Sequence, residues 1–162
     1  MNILILYHSR THHTQKLAYE IAKGAESVSG SSVILKTTEE VSKEDFLTAD
    51  ALIAGSPVYF GTMAAELKKV FDDFVGLRKK MENKIGAAFS TSGYHTGGKE
   101  TTLMSIIQAL LIYGMIIAGD PMSASGHYGA AFSGDMDETM TRYACRFGER
   151  ISRIAAATQE LR

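Results

Sequence analysis

Five short apolar runs recur along the chain, and each leads into a stretch with helical character. The runs are residues 2–7, Val33-Ile34-Leu35, Ala51-Leu52-Ile53-Ala54-Gly55, Ile85 to Ser90, and Met115 to Ala118. Short runs of this kind suit strands covered on both faces. Between them, apolar residues return at helical spacing. Leu17, Ala18, Ile21, Ala22, Ala25 and Val28 share one face; Leu67, Val70, Phe71 and Phe74 share a second. Leu103, Ile106, Ile107, Leu110 and Leu111 mark a third helix; Met136, Met140, Tyr143, Phe147, Ile151 and Ile154 mark a last one. Strand and helix in alternation give parallel neighbours joined by right-handed crossovers. The expectation is one α/β domain over residues 1–162, in three layers. Its five-stranded parallel sheet has the order 2-1-3-4-5, with helices on both faces.

Local signals refine the boundaries. Gly24 weakens the first helix, and Ser29-Gly30-Ser31 ends it. Ser42 caps a short turn over 43–48. Asp135 with Glu138 reads as a variant capping box for the last helix. Residues 119–134 carry four Gly and one Pro with no period, so no element is expected there.

In a sheet of this order ligands bind outside the carboxyl ends of the strands, at the switch between strands 1 and 3. Three loops follow carboxyl ends: 9–14, 56–61 and 91–98. The first offers the hydroxyls of Ser9, Thr11 and Thr14, the charge of Arg10, and His12 and His13, with nothing acidic between Tyr7 and Tyr19. It opens a helix, where free N–H groups and the dipole favour a phosphate. The second has Tyr59 and Phe60, flat groups suited to an aromatic ring system, with Pro57 and Val58 before them and Gly61 after. The third runs Thr91-Ser92-Gly93-Tyr94-His95-Thr96-Gly97-Gly98, rich in backbone donors for the carbonyl and ring-nitrogen edge of a flavin. Read together, they form a site for flavin mononucleotide (FMN), its phosphate held by 9–14.

Other chemistries lack their residues. No Walker or G-x-G-x-x-G motif is present. The histidines show no H-x-x-x-H spacing and no carboxylate cluster beside them, so no metal site is expected. Ser9 and His12 lack a group to orient the imidazole as in a nucleophilic pair. Tyr7-His8-Ser9 offers no acidic residue to hold magnesium after strand 1, as a receiver domain requires. Cys145, the single cysteine, lies beside Tyr143 and Phe147 and is expected buried and inert, which leaves no disulfide. A net charge of −1 provides no field for nucleic acid. No apolar stretch reaches the ~18 residues of a membrane helix. The first run lacks a basic leader, and a cytoplasmic protein is expected.

The motifs carry a resemblance over nearly the whole chain. Tyr7 to Thr14, Gly55-Ser56-Pro57-Val58-Tyr59-Phe60-Gly61-Thr62-Met63, Ser90 to Gly93 with Gly97-Gly98-Lys99-Glu100, Tyr113-Gly114-Met115 and His127-Tyr128-Gly129-Ala130 stand in characteristic order. In this the chain resembles flavodoxin-like FMN proteins. It is most similar to the tryptophan-repressor-binding-protein (WrbA) type of NAD(P)H:quinone oxidoreductase. The resemblance implies the FMN phosphate against Ser9, Thr11, His12, His13 and Thr14. It implies the isoalloxazine against Pro57, Val58, Tyr59 and Phe60, with its polar edge at Thr91, Ser92, Gly93 and Gly97. Tyr113, where the family often has His, and His127 are expected on the substrate face. His12 stands where the flavodoxin pattern usually has Gly; if that position needs positive φ, His tolerates it less well than Gly.

The implied activity is ping-pong hydride transfer through FMN, from NADH or NADPH to a quinone or similar small acceptor. The alternative is a flavodoxin-type one-electron carrier that docks to redox partner proteins. Loops 9–14, 56–61 and 91–98 contain no Asp or Glu, whereas low-potential carriers crowd carboxylates near the flavin; this favours two-electron chemistry. Oligomeric state stays open: the resemblance points to a tetramer, and the helix around Ile106 to Ile112 leaves room for a dimer.

Overall fold

The computed structural model describes residues 1–124 and 126–161. Its elements are β1 (Asn2–Tyr7), α1 (His13–Glu26), β2 (Ser32–Thr37), α2 (Lys43–Thr48), β3 (Ala51–Pro57), α3 (Ala65–Asp73), β4 (Ile85–Ser92), α4 (Lys99–Ile112), β5 (Ile116–Ile117), β6 (Ala130–Ser133) and α5 (Glu138–Ala157), with 3₁₀ turns at Val75–Lys80 and Gln159–Leu161. The sheet is parallel, as the alternation predicts, and its order β2-β1-β3-β4-β5 is the one expected of the flavodoxin-like arrangement.

Pleating sorts each strand between two cores. Ile3, Ile5, Ile53 and Phe89 face α1 and α5, where they meet Leu17, Ile21, Phe147 and Ile151. Leu4, Leu6, Leu52 and Ala88 face the other helices, where they meet Phe46, Leu67, Phe71, Ile106 and Leu110. The central strands are therefore buried on both sides, which is why their sequences do not alternate.

Three local expectations change. A sixth strand forms: β6 runs beside Phe89–Ser92, in line with β5 beside Ile85 and Gly86, so the fifth strand position resumes after the excursion through 118–129. Ala130-Ala131-Phe132-Ser133 is too short to show a period. Asp137 caps α5, accepting from Met140 N at 2.7 Å, in place of the expected Asp135. Gly24 lies where α1 crosses α5 backbone to backbone: a Cβ there would sit 1.8 Å from Cys145 O, and one at Gly148 would sit 1.9 Å from Ile21 O. Ser42 does cap α2, in a full capping box with Asp45.

Candidate functional site

The parallel order brings the carboxyl ends of β1, β3 and β4 side by side, with Tyr7 opposite Gly55 and Pro57 opposite Thr91. The loops that leave these ends are tied to one another. Thr14 Oγ1 and Thr91 Oγ1 lie 2.8 Å apart in a buried hydrogen bond, which joins the first loop to the third. Val58 N donates to Thr91 O at 2.8 Å, which joins the second to the third. At Gly98 (φ 75) a Cβ would come within 3.4 Å of Gly61 Cα, so the two glycine turns touch.

The start of α1 is built as an anion site. His12 is its N-cap, with φ 65 and ψ −2, and its own side chain makes no capping hydrogen bond. Among the described residues, the N–H groups of Thr11, His12, His13 and Thr14 meet no protein acceptor. No acidic residue stands in the first turn. Unpaired donors at the positive end of a helix dipole are complementary to a phosphate dianion. Ser9 Oγ accepts from Gln15 N at 3.4 Å, His12 Nδ1–H donates to Gln15 Oε1 at 2.8 Å, and Gln15 Nε2 donates to Tyr7 Oη at 3.2 Å. Tyr7 and Gln15, which the sequence places at the two ends of this stretch without a role, thus brace the loop.

Loop 56–61 is a rigid projection. Ser56 Oγ accepts from Ala64 N at 2.8 Å and donates to Pro57 O at 2.7 Å. Tyr59 and Thr62 exchange two backbone hydrogen bonds at 3.1 Å. Phe60 (φ 52) and Gly61 (φ 77) form the tight turn between them. That turn leaves the Phe60 ring fully exposed, while Tyr59 is partly covered.

Loop 91–98 is held from beneath. Ser92 Oγ donates to Tyr94 O at 2.6 Å, Ser133 Oγ donates to Tyr94 O at 3.1 Å, and Lys99 Nζ donates to His95 O at 2.7 Å and to Ser133 Oγ. Burial lowers the Lys99 ammonium below its usual range. Lys99 and Ser133 were not singled out in the sequence reading; Ser133 becomes visible only once β6 is seen to form beside β4.

Several expected residues sit elsewhere. Arg10 turns out of the 9–14 cradle: its guanidinium donates to Glu66 Oε1 at 2.9 Å and lies 5.1 Å from the Tyr59 ring centroid. The Arg10 hydrogen bond holds the Glu66 carboxyl below the usual carboxylate range. Thr14 is buried, its hydroxyl committed to Thr91. Buried His8, which the sequence reading left unassigned, places Nε2 3.6 Å from Glu66 Oε1 and its ring edge-on to Tyr59. Glu66, in the first turn of α3, therefore brings a carboxylate to the rim of loops whose own sequences contain none. An open groove of about 760 Å³ follows this rim, bordered by Arg10, Tyr59, Phe60, Met63, Glu66 and Gln108.

His127 reaches the same edge, exposed, with Nδ1 3.4 Å from Glu100 Oε1 in the first turn of α4. Tyr113 does not. It follows the far end of α4, beside the start of β4, buried, with its hydroxyl donating to Phe71 O at 2.6 Å. Its expected place on the substrate face is corrected: α4 carries the chain from one edge of the sheet to the other, and alignment of a motif does not show this. Burial pushes the Tyr113 phenol up to about 12. Cys145 is half-buried rather than buried, and burial raises its thiol. Among the described residues no cluster of His, Cys, Asp or Glu could hold a metal ion, and no helix is long and apolar enough to cross a membrane.

Residues 1–130 match the model of a protein family described as NADPH-dependent FMN reductase. The chain is 38% identical to a protein of Aquifex aeolicus named flavodoxin, over 95% of this chain and 86% of that one. It is 32% identical to a protein of Archaeoglobus fulgidus named NAD(P)H dehydrogenase (quinone), over 94% of this chain and 96% of that one. The fold is similar to that of a WrbA-like flavodoxin from Agrobacterium tumefaciens, with a TM-score of 0.81 and 23% identity over 98% of this chain and 99% of that one.

Proposed function

The chain belongs to the family described as NADPH-dependent FMN reductase, and on that premise we propose an FMN-dependent oxidoreductase of the cytoplasm that passes two electrons from NADH or NADPH to a quinone or similar small acceptor. The observation that carries this reading is the N-terminus of α1, where the N–H groups of residues 11–14 are free around αL His12, tied through Thr14 and Thr91 to two further loops of matching chemistry. The donor set fits the cofactor. Backbone N–H groups of 11–14 with Ser9 and Thr11 suit the phosphate. Pro57, Val58, Tyr59 and Phe60 offer a surface for the ring system. Thr91, Ser92, Gly93 and Gly97 suit its polar edge, where Gly93 has open space around it.

When bound, FMN would supply two-electron redox chemistry between the nicotinamide and the acceptor, so no protein nucleophile is needed. The work left to the chain is binding and orientation. The exposed Phe60 and the groove beside Tyr59 give the nicotinamide and the acceptor a common apolar approach. Arg10 and Glu66 neutralise each other there, so neither a cationic nor an anionic substrate meets a strong opposing field. A homo-oligomer, dimer or tetramer, is consistent with the exposed Phe60.

The protein is expected to show flavin absorption bands, or to acquire them on addition of FMN, and to oxidise NAD(P)H with benzoquinone over repeated turnovers. Absence of flavin uptake would sink the cofactor reading. Alanine at Pro57 or Tyr59 is expected to weaken flavin retention, whereas Cys145→Ala leaves it intact. The second reading, a one-electron carrier, is favoured by the likeness to the Aquifex protein. It prevails if NAD(P)H turnover is absent and reduction proceeds in two resolved one-electron steps.

A further inference from the structure

Lys99 is the first residue of α4, behind the N-cap Gly98. A cation at this place faces the positive end of the helix dipole and costs stability. Partial burial also disfavours the charge and lowers the ammonium below its usual range. Among the described residues no carboxylate lies within ion-pair distance of Nζ: neighbouring Glu100 acts on it through space but pairs with His127, and the hydrogen-bond partners of Lys99 are His95 O and Ser133 Oγ, both neutral. Neither local helix energetics nor an internal salt bridge accounts for a lysine here.

The loop geometry offers an account. Tyr94 O is taken by Ser92 Oγ, Ser133 Oγ and Gly97 N, and His95 O by Lys99. Both peptides are trans, so each carbonyl and the N–H that follows it point in opposite directions. Anchoring the carbonyls of Tyr94 and His95 toward Lys99 and Ser133 therefore turns the N–H groups of His95 and Thr96 away from that anchor. Among the described residues those two N–H groups have no acceptor.

We propose that Lys99 is the positioning residue of the flavin edge: with Ser133 it presents the His95 and Thr96 N–H groups as donors, and its unpaired charge favours the electron-rich reduced flavin over the oxidised one. The inference rests on the FMN reading. It adds that the loop is set for a cofactor that gains negative charge on reduction, and that β6 exists in part to supply Ser133.

Two measurements separate the premise from the inference. Uptake of FMN by the unaltered protein tests the premise; no uptake removes both. Given uptake, affinities for oxidised and reduced FMN are measured for Lys99→Met, Lys99→Gln, Lys99→Arg and Ser133→Ala, with the two-electron potential read against a reference dye. In Lys99→Met the ratio of reduced to oxidised affinity is expected to fall about tenfold, which for two electrons is about 30 mV toward more negative potential. Lys99→Arg restores the ratio. Ser133→Ala weakens both affinities together and leaves the ratio, because the charge stays. A ratio in Lys99→Met within twofold of the parent overturns the inference. Should Lys99→Met fail to fold, Lys99→Gln against Lys99→Arg decides: a lower ratio for Gln supports the charge, and equal ratios overturn it.

Discussion

Gly24→Ala is a substitution for which local and tertiary reasoning predict opposite signs. Within an α-helix, alanine in place of glycine stabilises by about 1 kcal/mol. Gly24 lies inside α1, so a reading confined to the helix predicts a more stable protein. In the fold, the added methyl would sit 1.8 Å from Cys145 O, and ordinary contact begins at 3.4 Å. The obstacle is backbone of α5, which cannot rotate aside as a side chain would. α1 and α5 must separate locally, which loosens the packing of Ile21 on Phe147 and stretches the Ser152 Oγ to Ala25 O hydrogen bond, now 3.2 Å. Overpacking costs about 1–3 kcal/mol and a weakened buried hydrogen bond about 1 kcal/mol. Against the helix gain this leaves a net destabilisation of about 2 kcal/mol. For a chain of this size that is a fall of roughly 4–8 °C in Tm. Urea unfolding followed by circular dichroism measures the free-energy loss and a thermal scan the fall in Tm, with Gly76→Ala as control, since a Cβ at Gly76 meets nothing within 4 Å. A Gly24→Ala protein as stable as the parent, beside an unaffected control, would refute the close crossing.

Thr14→Val removes one half of the buried pair with Thr91 and leaves the other hydroxyl unsatisfied; a loss of about 1–3 kcal/mol with weaker FMN binding is expected, and binding that is unchanged would show the loops to be independent. Glu66→Gln tests the pH dependence of the rim. The Glu66 carboxyl is held below its ordinary 4.5 chiefly by Arg10, so the pair adds stability above that value and loses it as pH falls through the lowered one. The parent should therefore be the more stable at neutral pH and the two proteins should converge in acid, as read by urea midpoints across pH; a constant gap would speak against the pair. Tyr113→Phe deletes the hydrogen bond to Phe71 O and is expected to cost about 1 kcal/mol while FMN affinity and turnover hold, because the residue lies at the edge of the sheet remote from the loops. A large change in acceptor KM would return Tyr113 to the substrate face.

Much of this was legible in the residues. The five apolar runs and the helical periods between them lead to a parallel sheet with helices on both faces, since strands apolar throughout must be covered on both sides, and the expected flavodoxin-like order 2-1-3-4-5 is the one the sheet has. The same patterns place loops 9–14, 56–61 and 91–98 at carboxyl ends, which is enough to predict that they converge. His12 was suspect as a glycine position, and it does adopt φ 65.

The remainder depends on contacts between residues distant in sequence. Arg10 looks like a phosphate ligand among its neighbours, yet Glu66, on a helix two strands later, draws it to the rim. Lys99 stands in a motif of the sequence, but its role is not visible until β6 brings Ser133 beneath the loop. Gly24 reads as a weak point of a helix until α5 is laid against it. Sequence by itself determined the layers, the parallel strands and the loop that offers its N–H groups to an anion, because these follow from burial period and from unpaired backbone at a helix start. Only the tertiary structure decided where the charges point and which carbonyls turn inward, because a side chain or peptide takes the partner that folding brings within reach.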